Sequence, residues 1–342
     1  MPITSSAPAS FAAPLSTPPA VSVVVPTRAR IHLLDRCLQA LAEQSFAPDR
    51  YEIIVADDGP DPNTLNLVAG WRARTLRRGG PRIRYVANHG PHGPAAARNR
   101  GWRIACAPVI AFTDDDTVPS RGWLRHAMEA FGEAVDALCG RVLMPVPAVP
   151  TDYERDAKRL ETSEFITANC FCRKSVLETL DGFDERFRFA WREDSDLHFR
   201  LLERQANIAH APDALVIHPV RPSPWGVSLL QLRKMSFDAL LYKKHPRLYR
   251  QKIRATPRWD YYAIVAALLL ALAALAAGKL VLAPAAGLAW AAMSASLCLK
   301  RLRGNAKTPS HIAEMALTSA LIPPLAVFWR IVGAIRFRTV LA

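Results

Sequence analysis

Between Val21 and Thr117, short apolar runs stop repeatedly on a hydroxyl or a carboxylate, and helix-spaced stretches follow. Val21-Ser22-Val23-Val24-Val25 ends at Pro26-Thr27. Tyr51-Glu52-Ile53-Ile54-Val55-Ala56 ends at Asp57-Asp58-Gly59. Ala107-Pro108-Val109-Ile110-Ala111-Phe112 runs into Asp114-Asp115-Asp116. Residues 82–86 form another such run. Residues 31–44, 63–74 and 94–106 read as helices, with Leu34, Leu38 and Leu41 at helical spacing in the first. Strands alternating with helices predict an α/β fold around a parallel sheet with right-handed crossovers. Ligands bind such a sheet outside the carboxyl ends of its strands. Thr27, Asp57, Asp58 and the triple Asp all fall at such ends.

Adjacent carboxylates repel one another, so folding alone gives little reason to place three together. A hard divalent cation neutralises them, and carboxylate oxygens are its natural ligands. Beyond Gly122 the pattern becomes mixed. Residues 123–131 and 194–204 read as helices, 137–142, 165–173 and 215–218 as strands, and 225–245 as a basic amphipathic segment.

The composition changes sharply at Tyr261. Residues 261–277 and 280–299 carry no charge, and each is close to the roughly 17–25 residues that cross a bilayer. Arg254 and Arg258 precede the pair; Lys300, Arg301, Arg303 and Lys307 follow it. That flanking charge favours a membrane hairpin over a soluble one and puts both ends on the cytoplasmic side. Residues 313–332, interrupted by Pro323-Pro324, are compatible with a spanning, re-entrant or interfacial helix. Residues 1–20 lack a signal peptide's basic and apolar regions and read as a disordered tail. The expected division is a tail at 1–20, a catalytic domain at 21–250 and a membrane region at 251–342.

A formal net charge of +14 suits nucleic acid, a polyanionic substrate or an anionic membrane. No zinc-finger spacing or RNA-binding signature accompanies it, so no nucleic-acid partner is expected. Six scattered cysteines without a CxxC pair point to free thiols in a reduced compartment, with Cys170 and Cys172 on one strand face.

Six motifs occur in order. They are Val23-Val24-Val25-Pro26-Thr27, Val55-Ala56-Asp57-Asp58-Gly59, the run from Gly93 through Arg98-Asn99 to Gly101, Phe112-Thr113-Asp114-Asp115-Asp116, Gly182-Phe183-Asp184-Glu185, and Arg192-Glu193-Asp194. In this order and spacing the chain resembles the family 2 glycosyltransferases, inverting enzymes of GT-A fold, over about residues 21–245. That fold is a Rossmann-like mixed sheet flanked by helices. The resemblance implies a nucleotide-diphosphate sugar donor and Mn²⁺ or Mg²⁺. It assigns Asp116, helped by Asp114, to the metal and diphosphate, with His218 completing that site. Asp58 would accept a hydrogen bond from the base, with Asp57 beside it. Pro26, Thr27, Arg98, Asp114 and Asp115 would line the donor site. Asp194 would be the base that deprotonates the acceptor, with Glu193 and Trp191 on the acceptor side. Inversion needs one such carboxylate and no covalent nucleophile.

Departures narrow the assignment. Asp181-Gly182 stands where the family has a glycine pair, and Gln231-Leu232-Arg233-Lys234-Met235 lacks the tryptophan of the processive polymer synthases. A dehalogenase-type phosphatase needs threonine at position 118, where Val118 stands. A dinucleotide dehydrogenase needs GxGxxG after the first strand, and residues 26–30 contain no glycine. A membrane-anchored nucleotide-sugar-binding module without turnover is the alternative, and the intact Asp194 argues against it. Basic residues 233–258 beside the apolar hairpin suggest a catalytic domain at the cytoplasmic membrane, facing the cytoplasm. Its acceptor would be lipid-linked or membrane-proximal.

Overall fold

The computed structural model describes residues 18–340. Most of the expected tail therefore lies outside the described residues.

The first half follows the alternation. Strand β1 (Val21–Thr27) leads to α1 (Ile31–Ala42), β2 (Tyr51–Asp57), α2 (Pro62–Arg77), β3 (Arg82–Ala87), α3 (Pro94–Arg103) and β4 (Val109–Phe112). Helix α1 buries Leu34, Cys37, Leu38 and Leu41, one face at helical spacing. Asp61 caps α2 by accepting from the backbone N–H groups of Asn63 (3.3 Å) and Thr64 (3.2 Å), with Pro62 at the first helical position. All seven residues of β1 and of β2 are buried, as strands covered on both faces must be. Val23 and Val25 pack into one core layer with Leu34 and Leu38; Val24 points into the other with Trp102 and Phe112. Gly101 lets α3 lie directly on β1, because a Cβ there would sit 2.4 Å from Val24 Cγ1.

The second half adds β5 (Val118–Pro119), α4 (Trp123–Ala130), β6 (Ala137–Leu143), α5 (Asp152–Lys158), β7 (Cys170–Arg173), α6 (Lys174–Leu180), α7 (Glu193–Glu203) and β8 (Ile208–Ile217). The eight strands lie in the order β3-β2-β1-β4-β7-β6-β8-β5. β1 to β4 pair in parallel, whereas β7 is antiparallel to both β4 and β6. The sheet is therefore mixed. Its order reverses between β1 and β4, which opens a crevice at their carboxyl ends.

Three expectations change. The strand read at 165–173 is only β7, preceded by a 3₁₀ turn at Thr167–Asn169. There Asn169 donates to the carbonyls of Arg141 and Ala214, filling the register shift between β6 and β8 at Gly140/Arg141. β8 is longer than 215–218, because polar residues on its exposed face hid the strand period. The segment at 225–245 breaks into α8 (Val227–Gln231), a 3₁₀ stretch (Leu232–Phe237) and α9 (Asp238–Lys244). Cys170 and Cys172 are buried in one cluster with Cys139, as their spacing implies.

After the short α10 (Pro246–Leu248), three long apolar helices close the chain: α11 (Trp259–Ala276), α12 (Leu282–Leu302) and α13 (Pro309–Phe337). Each is long and apolar enough to cross a membrane. The proline pair does not interrupt α13, which runs unbroken for 29 residues. Proline removes donors from a helix. Here burial of Ile322, Pro323 and Ala326, with Ile322 and Ala326 clustered on Leu232, holds the helix through that gap.

Candidate active site

The site is built where β1, β2 and β4 end. At the end of β4, Asp114, Asp116 and His218 each offer a ligating atom, and these atoms lie within 4.8 Å of one another. Asp116 Oδ1 is 3.6 Å from His218 Nε2, just beyond the end of β8. Two carboxylates and an imidazole suit a hard or borderline divalent cation, so the residues fit Mn²⁺ or Mg²⁺. Guanidinium groups also crowd these acids. Asp116 Oδ2 is 3.1 Å from Arg221 Nε and 3.6 Å from Arg30 Nη1.

Asp115 points the other way. It is fully buried, accepts from Thr27 Oγ1 at 2.6 Å and pairs with Arg30 Nη2 at 3.1 Å. Burial pushes its carboxyl up to about 7, against the pull of Arg30 and Thr27. Thr27 and Asp115, both expected to line the donor site, thus bond to each other and tie β1 to β4.

Arg98 is drawn into the same network of acids. It is 2% exposed and spans two acids, donating from Nη2 to Asp114 Oδ1 at 2.6 Å and from Nη1 to Glu193 Oε1 at 3.1 Å. The guanidinium joins the β4 turn to the start of α7. Arg98 sits closer to Asp114 than to Glu193, which divides their protonation. Burial disfavours charge at Asp114, but Arg98 and then His218 outweigh it and hold Asp114 below the usual carboxylate range. Glu193 is buried beside Asp194, and these effects push it up to about 7 in spite of Arg98.

Asp194 differs from all of these. It is half-buried, and its hydrogen bonds come from its own helix: Ser195 N at 2.6 Å and Ser195 Oγ at 3.2 Å, both to Oδ1. Arg192, just before α7, has φ +76°, a left-handed conformation costing about 1–2 kcal/mol in a non-glycine residue. Asp238 at the start of α9 holds that turn, accepting from Arg192 Nε at 2.7 Å and from Trp191 Nε1 at 3.0 Å. Trp191, expected in the acceptor pocket, is thereby clamped under the turn with the Arg192 guanidinium over its ring.

At the β2 end the two acids differ in what they already hold. Asp58 is taken at both oxygens: Asn88 Nδ2 (2.8 Å) and His92 Nδ1 (3.2 Å) lie at Oδ1, and Gly93 N donates to Oδ2 at 2.9 Å. Gly93 has φ +134°, and a Cβ there would meet Arg188 O at 2.9 Å, so only glycine presents that N–H. Asp57 accepts from Tyr85 Oη (2.9 Å) and Asp61 N (3.0 Å) at Oδ2, while its buried Oδ1 has no partner.

Residues 22–169 match the model of glycosyl transferase family 2. That stretch of the chain is similar to the family. The matched span takes in the β1, β2, α3 and β4 motifs and stops before Glu193, Asp194 and His218. Among curated relatives of this glycosyltransferase, the glycosyltransferase AglE of Haloferax volcanii is 27% identical over 219 residues, 60% of this chain and 69% of that one. The GalNAc(5)-diNAcBac-PP-undecaprenol beta-1,3-glucosyltransferase of Campylobacter jejuni is 31% identical over 127 residues, 37% of this chain and 39% of that one. Validoxylamine A glucosyltransferase of Streptomyces hygroscopicus subsp. limoneus is 37% identical over 113 residues, covering 33% of this chain and 24% of that one. The chain thus spans well under half the length of the latter two. A mannosyltransferase from Pyrobaculum calidifontis, solved with GDP-Man and Mn²⁺, shares the fold: TM-score 0.55 at 19% identity, over 97% of this chain and 90% of that one.

Several residues of the candidate site escaped the sequence motifs. Arg30 and Arg221 had a weak signal, each three positions after a site residue, Thr27 and His218. Asn88, Tyr85 and Asp238 had none, because each reaches its acid from another element.

Proposed function

We propose that this transferase moves a sugar from a nucleotide-diphosphate donor to a hydroxyl or phosphate of a lipid-linked acceptor, inverting the anomeric centre. The observation that carries the reading is the open carboxylate of Asp194, next in the chain to Glu193, which Arg98 bridges to Asp114 of the Asp114–Asp116–His218 cluster. Asp194 Oδ1 is held by Ser195. The second oxygen is left to take the acceptor proton as the acceptor oxygen attacks opposite the diphosphate. A divalent ion held by Asp114, Asp116 and His218 would supply neutralising charge for the leaving diphosphate. Arg30 and Arg221 stand beside these ligands and add positive charge for the same group. The buried Asp57 Oδ1 is the unfilled acceptor at the β2 end, so Asp57 rather than Asp58 is our choice for a base N–H.

Lys234 borders the same space. Burial pulls its ammonium below the usual lysine range, opposed by Glu193 and reinforced by Arg221 and Arg233. The 3₁₀ stretch that carries it also packs Leu232 onto α13. An apolar helix thus lies one short element from the reaction centre, which favours an acceptor carried by the bilayer. Relatives named for undecaprenol-linked acceptors agree with this. Asp194→Asn is the test. Binding of a nucleotide diphosphate should persist in calorimetry while transfer falls by about 10²–10⁴-fold. Equal turnover by parent and variant would remove the mechanism, and product anomers read by NMR decide inversion.

A further inference from the structure

The last helix does not behave like the two before it. In their most apolar stretches, 11% of residues are buried in α11 and in α12, against 44% in α13. The buried face of α13 is one continuous stripe at helical spacing, and it includes Thr318, Ser319, Ile322, Ala326, Arg330 and Gly333. Its polar members are turned toward protein. Arg301 Nη1 donates to Thr318 Oγ1 at 2.6 Å and lies 3.2 Å from Ser319 Oγ.

Contacts with the catalytic domain run along the whole length. Near the start, Glu314 Oε1 accepts from Gly226 N at 2.7 Å, and Asp152 N lies 3.3 Å from His311 Nε2. In the middle, Ile322 and Ala326 pack on Leu232. Near the end, a Cβ on Gly333 would meet Ser236 O at 2.3 Å, and Lys243 Nζ donates to Phe337 O at 2.9 Å. At about 1.5 Å per residue the helix runs about 43 Å, longer than the roughly 30 Å hydrocarbon core. A spanning helix puts its ends in opposite aqueous phases. Both ends of α13 instead rest on the same domain.

The opposite face is apolar throughout. Leu317, Leu321, Leu325, Phe328, Ile331 and Ile335 are 36–73% exposed and follow one another every three or four residues. The base of the α11–α12 hairpin joins α13 near its middle, through Arg301 and through Tyr261 packed beside Ile322 and Ala326. Exposed Arg303 and Lys307 precede α13, and exposed Arg336 and Arg338 close it.

We propose that only α11 and α12 cross the membrane, and that α13 lies in its plane with the Leu317–Ile335 stripe in the acyl–headgroup boundary of the leaflet nearest the catalytic domain. Continuity with the apolar hairpin and the flanking cations select an anionic bilayer as the occupant of this face. The assignment stands independently of the transfer chemistry.

The full chain, with exposed Cys106 and half-exposed Cys298 replaced by Ser, takes single cysteines at Leu317, Leu321, Leu325, Phe328, Ile331 and Ile335. Each is labelled with an environment-sensitive fluorophore in phosphatidylethanolamine–phosphatidylglycerol vesicles. Lipids doxylated near the headgroup should quench all six more than lipids doxylated deep in the chain, with a nearly flat profile. A protease-sensitive tag after residue 342 should be cut from the same side as the catalytic domain. A profile that deepens at Leu321–Phe328 and shallows at Ile335, or a tag cut from the far side, overturns the proposal in favour of a span. No quenching by either lipid overturns it in favour of a second copy of the chain on this face.

Discussion

The two acidic turns of the site differ in what their carboxylates already hold. At the end of β4, each aspartate lies against a guanidinium: Asp114 on Arg98, Asp115 on Arg30, Asp116 on Arg221. At the start of α7, Asp194 has hydrogen bonds from Ser195 alone among the described residues. Carboxylates matched by fixed cations are suited to holding charge. One with an unengaged oxygen is suited to taking a proton. Arg98 joins the two regions by bonding Asp114 on one side and Glu193 on the other.

The contrast is most exposed to disproof at the open acid, where Asp194→Asn sets the largest expected loss, about 10²–10⁴-fold in transfer with donor binding kept. Stripping divalent metal with a chelator comes next. Transfer should fall by about 10³-fold, the equivalent of roughly 4 kcal/mol. The melting temperature should move little, because Arg30, Arg98 and Arg221 already balance the β4 acids. A large drop in melting temperature would show the metal to be structural instead.

Arg98→Met severs the link itself. It leaves the buried Glu193 and the half-buried Asp114 without their cation, and removing one partner of a buried pair costs about 3–5 kcal/mol. Scanning calorimetry of the detergent-solubilised chain should register a clearly lower melting temperature, with activity lost at both turns. Arg221→Ala has a smaller effect of split sign. Freed of a half-exposed competitor, Asp116 should bind Mn²⁺ about two- to fivefold more tightly in a metal titration, the scale of such a pair. Affinity for a nucleotide diphosphate should weaken by a similar factor.

The remaining effect is a pH slope. Glu193 keeps its proton up to about 7 in the folded chain, against an ordinary glutamate value of 4.5. Between those values the folded state binds a proton that the unfolded state has lost. Glu193 therefore lowers stability progressively as pH rises from 4.5 to 7 and adds no further slope above. The difference in melting temperature between parent and Glu193→Gln across pH 5–8 isolates this effect; a difference that does not vary with pH contradicts it.

Much of the catalytic half is legible in the chain of residues alone. β1, β2, β3, α1 and α2 carry their own periods, and Asp57, Asp58 and Asp114–Asp116 sit at strand ends, where ligand chemistry must be. Which oxygen is already taken is not legible there. Arg98 and Glu193 are 95 residues apart, and Thr27 and Asp115 are 88 apart. No local pattern announces that Arg98 faces inward or that Asp58 is saturated by Asn88 and Gly93. The acceptor side is less legible still, because the turn at Trp191-Arg192 is held by Asp238 from a separate helix.

The apolar segments divide in the same way. Composition marks 261–277 and 280–299 as able to cross a bilayer, because an uncharged stretch of that length carries its own solvent preference. For α13 the same composition leaves three placements open. Only its packing separates them, since Thr318 and Ser319 turn to Arg301 at the end of α12, Arg330 is buried, and the leucines face away. Elements, family and the acids at the strand ends are written in the sequence, because they follow from local period and residue type. The open acid, the enclosed cation and the lie of α13 emerge only in the folded chain, because each depends on partners that lie far apart until folding joins them.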